Sequence, residues 1–218
     1  TKAAFGPPFL FVRRAKTGLS INIAFQVLRM PALNIRDTAP ADIPSITAIY
    51  RHAVLNGTAS FELDPPDEAE MRSRYEAIRA GEYPYILAED EEGRIVGYAY
   101  ANAFRSRPAY RWSVENSVYI DPQMQGRGIG RILMAALLEK TEALGFRQVI
   151  AVIGGSQHKA SIRLHESLGF EMIGTFKGSG FKFGGWLDTV LMQKALNGGD
   201  TAPPDETAYP GTLYRPKT

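Results

Sequence analysis

The sequence of 218 residues predicts an α/β domain in which a mixed central sheet is flanked by helices. Two observations predict this fold. Strand and helix patterns alternate from residue 114 to residue 176, as in the crossover connections that join parallel strands. Before them, two strand patterns are joined by the turn 90–93 (Asp-Glu-Glu-Gly), which indicates an antiparallel hairpin.

The first half of the chain supplies the antiparallel part. Residues 33–36 alternate as a short strand. Asp42 is predicted to cap a helix that ends at Asn56-Gly57. The apolar face of this helix consists of Ile43, Ile46, Ile49, Tyr50 and Ala53. A polar helix from about Asp67 to Ala80 stops at Gly81, and the hairpin strands 85–89 and 95–101 follow.

The second half supplies the crossover part. A strand over 114–120 leads into an amphipathic helix over 129–144. Its apolar stripe consists of Ile129, Ile132, Leu133, Ala136, Leu137 and Leu144. A buried strand (148–153), a helix (158–168) closed by Gly169, and final strands at 172–176 and 187–194 complete the domain.

We expect the domain to span residues 33–196, with an extension before it and a tail after it. Residues 1–32 carry five basic and no acidic side chains, which suits either a transit sequence or sequence upstream of a start at Met30, and we favour the second. Residues 197–218 hold four Pro and three Gly and are predicted to be extended or mobile.

Composition excludes several kinds of site. The chain has no Cys, so it contains no disulfide, no thiolate metal ligand and no Cys nucleophile. With three His, a histidine metal site is poorly supplied, and we expect no metal. No apolar run is long enough to cross a membrane. From residue 33 onward the net charge is −3, so the pI of 8.8 does not indicate nucleic-acid binding.

The segment Gln125-Gly126-Arg127-Gly128-Ile129-Gly130 lies between a predicted strand and a predicted helix. Glycines leave room for backbone N–H groups to converge on an anion, and the helix dipole adds partial positive charge. The segment therefore suits a pyrophosphate, although a plain turn with a helix cap would use the same residues. It matches neither a P-loop nor a dinucleotide fingerprint.

Further segments make the sequence resemble a known family. The glycine turn after Val118-Tyr119-Ile120-Asp121-Pro122, together with 160–170 (ASIRLHESLGF), is similar to the acetyl-CoA motifs of GNAT acetyltransferases. Residues 113–119 (SVENSVY), 152–154 (VIG) and 181–188 (FKFGGWLD) resemble the phosphinothricin and methionine sulfone/sulfoximine acetyltransferases. The resemblance covers residues 35–196 and implies the GNAT fold, with a splayed strand pair at the acetyl-CoA site.

The resemblance implies which residues bind acetyl-CoA, the only cofactor expected. These are Val118, Tyr119, Ile120, Gly126, Arg127, Gly128, Ile129, Gly130, Arg131, His158 and Ser167. At position 158 the family often has Asn, so the role of His158 is open.

For catalysis, the resemblance implies Glu115 as the general base that takes a proton from the attacking amine. His165 stands where many GNAT enzymes place Tyr, and it is either a proton donor to the leaving thiolate or a core histidine.

For substrate binding, the resemblance implies Arg105, Ser106, Arg107, Glu115, Asn116 and Ser117. Guanidinium groups suit a carboxylate or phosphinate, although a solvated basic loop would have the same composition. Phe61 and Tyr110 are further candidates for the pocket wall. Gly178, Lys182 and Trp186 lie in the last hairpin, where a partner subunit of a homodimer could complete the site.

The predicted function is transfer of an acetyl group from acetyl-CoA to the α-amine of a small amino acid analogue, by direct attack, in a cytoplasmic enzyme. Two alternatives stay open. One is acetylation of another amine, such as a peptide N-terminus, a polyamine or an antibiotic. The other is a non-catalytic acyl-CoA-binding module, which would not need Glu115 or His165.

Overall fold

A computed structural model of the chain describes residues 32–214; the predicted extension, except Ala32, and the last four residues lie outside this range. The strands are β1 (Asn34–Asp37), β2 (Tyr85–Glu89), β3 (Ile95–Ala103), β4 (Ser113–Ile120), β5 (Gln148–Gly154), β6 (Glu171–Lys182) and β7 (Gly185–Ala195). The helices are α1 (Ile43–Asn56), α2 (Glu68–Ala80), α3 (Ile129–Ala143) and α4 (Lys159–Ser167). The α/β fold predicted from the sequence is confirmed.

The strands form one mixed sheet in the order β1-β2-β3-β4-β5-β7-β6. All neighbours are antiparallel except β4 and β5, which α3 connects as a crossover. The β3–β4 ladder runs to Ile120, whereas the β4–β5 ladder ends where Asn116 pairs with Ala151. Beyond that pair the two parallel strands separate, which opens a cleft in the middle of the sheet.

The two faces of the sheet are packed differently. On the α1 and α2 side, tyrosine rings form a continuous row with neighbouring centroids 5.0–6.4 Å apart. The row consists of Tyr50, Tyr75, Tyr85, Tyr98, Tyr100 and Tyr119. On the other side, α3 packs so close that a Cβ on Gly97 would meet the Leu133 side chain.

The first helix begins differently from the prediction. Asp42 does precede α1, but its carboxylate makes no hydrogen bond to the N–H groups of that helix. It accepts two hydrogen bonds from Arg36, at 2.7 and 2.8 Å, and one from the Ala39 N–H. The guanidinium lowers the pKa of the Asp42 carboxyl. A short-range capping rule could not anticipate a partner on a neighbouring strand.

The predicted mobile tail is wrong for residues 197–214, which fold back onto the domain. Arg147 donates to the carbonyls of Gly199 and Ala202, at 2.7 and 3.0 Å. The Tyr209 hydroxyl donates to Gly81 O at 2.7 Å, and its ring meets the buried Phe146 edge to face. A segment rich in Pro and Gly is ordered here because aromatic burial and backbone hydrogen bonds offset its conformational entropy.

The last two strands are longer than predicted. β6 and β7 form a hairpin whose strands reach Lys182 and Gly185, and Phe183 and Gly184 turn with positive φ. Two register shifts interrupt the ladder, between Met172 and Gly174 and between Phe176 and Gly180. A strand is recognised from alternating apolar and polar residues. This alternation is missing along β6 because bulges interrupt the strand and most of its side chains are exposed.

Candidate active site

A cavity of about 340 Å³ lies where β4 and β5 separate. Its walls come from β3, β4, β5, β7, α1, α4 and the loop between α1 and α2. The lining residues include Tyr50, Ser60, Phe61, Tyr100, Glu115, Asn116, Ser117, Val118, Tyr119, Gly154, His158, Ser161, His165 and Thr189. The structure therefore brings together both predicted catalytic residues, two further predicted substrate residues and part of the predicted cofactor strand.

Glu115 lies on β4, two residues before the β4 segment that has separated from β5. Within residues 32–214 its carboxylate has no hydrogen bond or ion pair. Removal from water is the cause that raises the pKa of the Glu115 carboxyl. A carboxylate with a raised pKa is a stronger proton acceptor than one in water, so its environment suits a general base.

Asn116 and His165 form a buried pair on the α4 side of the sheet. The Asn116 Nδ2 lies 2.9 Å from His165 Nε2, and His165 Nδ1 lies 2.8 Å from Ser161 O. A carbonyl only accepts, so Nδ1 carries the proton; Nε2 then accepts from the Asn116 amide. Burial lowers the pKa of His165, which agrees with this neutral form.

The glycine turn follows β4 and ends in α3, beyond the cavity itself. Gly126 and Gly128 have φ of 75° and 80°, in the left-handed region that favours glycine, and Gly128 is the N-cap of α3. Arg127 and Arg131 are exposed beside the turn, as an anion site requires. Ile129, in contrast, is 1% exposed, so only its backbone can face a ligand.

The two remaining cofactor candidates are placed differently from each other. His158 precedes α4 and lines the cavity; its buried Nδ1 has no partner among residues 32–214, and burial lowers its pKa. Ser167 is exposed at the end of α4, and its hydroxyl donates to Leu164 O. The structure thus brings His158, but not Ser167, to the cavity.

The predicted substrate loop lies off the cavity. Arg105, Ser106 and Arg107 are exposed between β3 and β4, and the Arg105 guanidinium lies over the rings of Phe104 and Tyr110 at 5.1 and 5.9 Å. No Arg or Lys is among the described residues that line the cavity.

Most of the cavity wall formed by α1 and the loop after it was not predicted from the sequence. Tyr50, Ala59 and Ser60 line the cavity from α1 and the loop after it, with Phe61 beside them as expected. The tyrosine hydroxyl lies 2.9 Å from Ser60 Oγ and donates to Glu62 at 2.9 Å. Nothing local distinguishes these residues from an ordinary helix end and loop, because tertiary packing brings them to the site.

Within residues 32–214, no three His, Cys, Asp or Glu side chains are grouped as metal ligands would be. In the same range, none of the helices combines the length and the apolarity that crossing a bilayer requires.

Comparison with known proteins places these features in a family. Residues 35–191 match the acetyltransferase (GNAT) domain. The chain is 48% identical to a phosphinothricin N-acetyltransferase of Alcaligenes faecalis over 174 residues, which is 80% of this chain and 88% of that protein. It is 40% identical to an L-methionine sulfoximine/L-methionine sulfone acetyltransferase of Pseudomonas paraeruginosa, over 78% of this chain and 98% of that protein.

A solved structure gives the same assignment. The crystal structure of a GNAT phosphinothricin acetyltransferase from Sinorhizobium meliloti in complex with acetyl-CoA is 52% identical, with a TM-score of 0.82. The match covers 84% of this chain and 98% of that one. The resemblance inferred from the motifs is confirmed, and the chain belongs to the GNAT family of acetyltransferases.

Proposed function

We propose that this acetyltransferase moves the acetyl group of acetyl-CoA to the α-amine of a small amino acid analogue, such as phosphinothricin or methionine sulfone/sulfoximine. The observation that carries the proposal is the opening between β4 and β5 with Glu115 beside it. The names of the relatives from Alcaligenes faecalis and Pseudomonas paraeruginosa support the substrate class.

The residues around the opening fit acetyl-CoA. Past Asn116, β4 is hydrogen-bonded to β3 on one side and, within residues 32–214, pairs with no strand on the other. The backbone groups of 118–120 on that side are available to the amides of the pantetheine arm. The glycine turn, with Arg127 and Arg131, would hold the pyrophosphate. Acetyl-CoA supplies an acetyl group activated as a thioester.

Glu115 would act on the amine. An α-ammonium group has a pKa of about 8 and must lose a proton before its nitrogen can attack. Glu115 takes that proton, directly or through water. The neutral nitrogen then forms the new C–N bond and becomes positively charged. It loses one further proton to solvent as the C–S bond breaks and CoA departs with the electron pair on sulfur, and the thiolate later takes a proton from solvent. A thiol with a pKa near 8.5 leaves as the thiolate without needing a proton in the same step.

His165 would hold Asn116 in place. In the tautomer that these contacts select, its Nε2 accepts a hydrogen bond and its Nδ1 proton goes to Ser161 O, so neither nitrogen has a proton to give. To act as an acid, the ring would need a second proton, and the Asn116 amide would have to turn. We therefore assign His165 a positioning role at the point where β4 and β5 separate.

Recognition of the substrate's acidic group is proposed for the loop between β3 and β4. Arg105 and Arg107 are exposed there, and the cavity walls themselves contribute hydroxyl and aromatic groups. A guanidinium of this loop would bind the carboxylate or phosphinate of a substrate that extends beyond the cavity, whose interior Ser117 and Asn116 line.

We further propose that the protein forms a homodimer and acts in the cytoplasm. The hairpin β6–β7 exposes large apolar side chains, including Phe176 at 60%, Phe181 at 56% and Trp186 at 73%. Phe181 and Trp186 are in contact, with ring centroids 5.3 Å apart. Exposed large apolar side chains that lie together are typical of an interface, and a second copy of the chain is the occupant that we propose. The cytoplasm is the compartment in which a bacterial-type enzyme meets acetyl-CoA.

Turnover with a panel of amines tests the function. With acetyl-CoA and phosphinothricin, methionine sulfoximine or methionine sulfone, we expect release of free thiol in equal amount to the N-acetylated product found by mass spectrometry. A peptide N-terminus and a polyamine serve as comparison amines. Turnover of these alone would replace the substrate class, whereas tight acetyl-CoA binding without turnover of any amine would favour a binding module.

The His165–Asn116 pair predicts a stability change that depends on pH. His165→Phe leaves the Asn116 amide and Ser161 O without their partner, so we expect the free energy of unfolding at pH 7.5 to fall by about 2 kcal/mol or more. Folding lowers the pKa of His165. The stability that the neutral ring contributes is therefore present above the unfolded-state pKa of 6.5 and is lost as the pH falls below it. The difference between wild type and variant should therefore shrink at pH 5.5.

Urea denaturation at pH 7.5 and 5.5 measures both values. The control is His52→Phe, the same change at an exposed position of α1. A His165→Phe difference equal to that of the control at both pH values would show that the pair does not hold the strand junction.

A further inference from the structure

The loop over residues 57–62, between α1 and α2, forms one wall of the cavity through Ala59, Ser60 and Phe61. Few backbone hydrogen bonds hold this loop in place. Within the described structure, its one backbone–backbone hydrogen bond is from Gly57 N to Ala53 O, at the end of α1. The position of this wall therefore depends on hydrogen bonds that involve side chains.

Lys182 supplies the most direct of these contacts. It is the last residue of β6, and its ammonium donates to Gly57 O at 3.0 Å and to Ser60 O at 2.8 Å. One cation thus holds carbonyls from both ends of a four-residue segment. The side chain is 4% exposed although it is a lysine, a residue rarely buried without partners.

Burial of this ammonium has an electrostatic cost, which is visible in the lowered pKa of Lys182. The negative charge of Glu62 opposes that shift. Hydrogen bonds from an ionised donor are stronger than neutral ones, so the two loop carbonyls contribute more than two ordinary contacts. A methionine of similar volume would fit the site but could not hold the loop.

Other contacts seat the same loop on the strands beneath it. Thr58 Oγ1 donates to Gly154 O at 3.0 Å, and the strand approaches so closely that a Cβ on Gly154 would collide with the Thr58 carbonyl. A Cβ on Gly180 would likewise collide with the Phe61 ring. The loop, the end of β5 and the end of β6 are therefore fitted to one another.

We propose that Lys182 is a positioning residue for the acceptor side of the cavity, holding the loop 57–62 so that Ser60 and Phe61 define the space for the amine substrate. This inference rests on the acetyl transfer proposed above. Lys182 does not line the cavity, so it acts through the loop. The glycine turn and the free edge of β4 lie elsewhere, and acetyl-CoA binding should not depend on it.

Lys182→Met tests the inference with two independent measurements. With saturating acetyl-CoA, we expect the KM for the amine to rise about tenfold or more, because small displacements of a positioning wall have large effects. The kcat should fall much less, and the Kd of acetyl-CoA by calorimetry should stay within about twofold. Without ligands, hydrogen–deuterium exchange of the peptide containing residues 57–62 should become faster, and peptides from α3 should not change.

Two further variants serve as a control and as a second test of how the loop is held. Lys140→Met makes the same change at an exposed lysine of α3 and should alter neither measurement. Thr58→Val removes the second anchor from the loop side and should reproduce the loop-specific exchange if Lys182→Met does not fold. Unchanged exchange and KM in Lys182→Met would overturn the proposal, as would equal acceleration of exchange throughout the chain. If the wild type turns over no amine, the proposed function fails, while exchange and calorimetry still decide the role of Lys182.

Discussion

Replacing Glu115 by Gln is expected to lower kcat by about 10²–10³-fold at pH 7, the range that loss of a general base typically produces. The amide has the shape of the carboxylate but cannot take a proton from the ammonium. Acetyl-CoA binding should be retained, because the carboxylate lies on the amine side of β4 rather than at the glycine turn. Steady-state kinetics with phosphinothricin and calorimetry with acetyl-CoA measure the two quantities.

The same substitution should stabilise the fold near neutral pH. Folding raises the pKa of Glu115 through burial, so the native state binds the proton more tightly than the unfolded state. Stability therefore falls as the pH rises from the unfolded pKa through the folded one, because the charged carboxylate is destabilised by burial. Gln carries no charge and avoids that destabilisation.

A variant that is both less active and more stable would identify a residue kept for its chemistry. Glu139→Gln, at an exposed position of α3, is the control and should change neither property. Full activity of Glu115→Gln across the pH range would exclude Glu115 as the base. A loss of activity accompanied by a lower melting temperature would instead indicate a structural role.

Gly126→Ala should weaken acetyl-CoA binding by about tenfold or more. Gly126 has a φ of 75°, and a Cβ there would meet no protein atom within 4 Å. The left-handed conformation costs an L-residue about 1–2 kcal/mol, and relaxation of the turn would carry its N–H groups away from the pyrophosphate. An affinity change of tenfold corresponds to about 1.4 kcal/mol.

Gly93→Ala is a closely matched control for this prediction. Gly93 lies in the β2–β3 turn with a φ of 76°, and a Cβ there would also meet no atom within 4 Å, so the same backbone strain arises away from the cofactor site. Both variants should lose similar stability, but only Gly126→Ala should lose affinity for acetyl-CoA in calorimetry. Equal affinity in the two variants would mean that the turn does not hold the pyrophosphate.

The sequence predicted those parts of the fold that depend on local pattern. The apolar stripe of α3, the hairpin turn before β3 and the glycine turn all have short-range signals, and each predicted element is present. The strand at which the sheet opens was located through the resemblance of residues 118–130 to the acetyl-CoA motif of GNAT acetyltransferases, because an ordinary central strand would have the same side-chain pattern.

Features that depend on distant partners could not be predicted in this way. Tyr209 packs its ring against the buried Phe146, although it lies in a segment whose composition indicates mobility. The Lys182 contact joins residues more than 120 positions apart. The protonation pattern of His165 follows from the identities of its two neighbours, which only the folded chain brings together.

The position of β7 in the sheet has a consequence for how the chain is made. β7 lies between β5 and β6, although it leaves the ribosome after both of them. Until it emerges, β6 has no neighbouring strand and one edge of β5 is open, so this half of the sheet cannot assemble before β7 has been synthesised. Its contacts span long stretches of sequence, which slows folding. Nascent chains should therefore carry β6 as an unpaired strand until β7 inserts, which makes formation of this hairpin the step at which aggregation competes with folding.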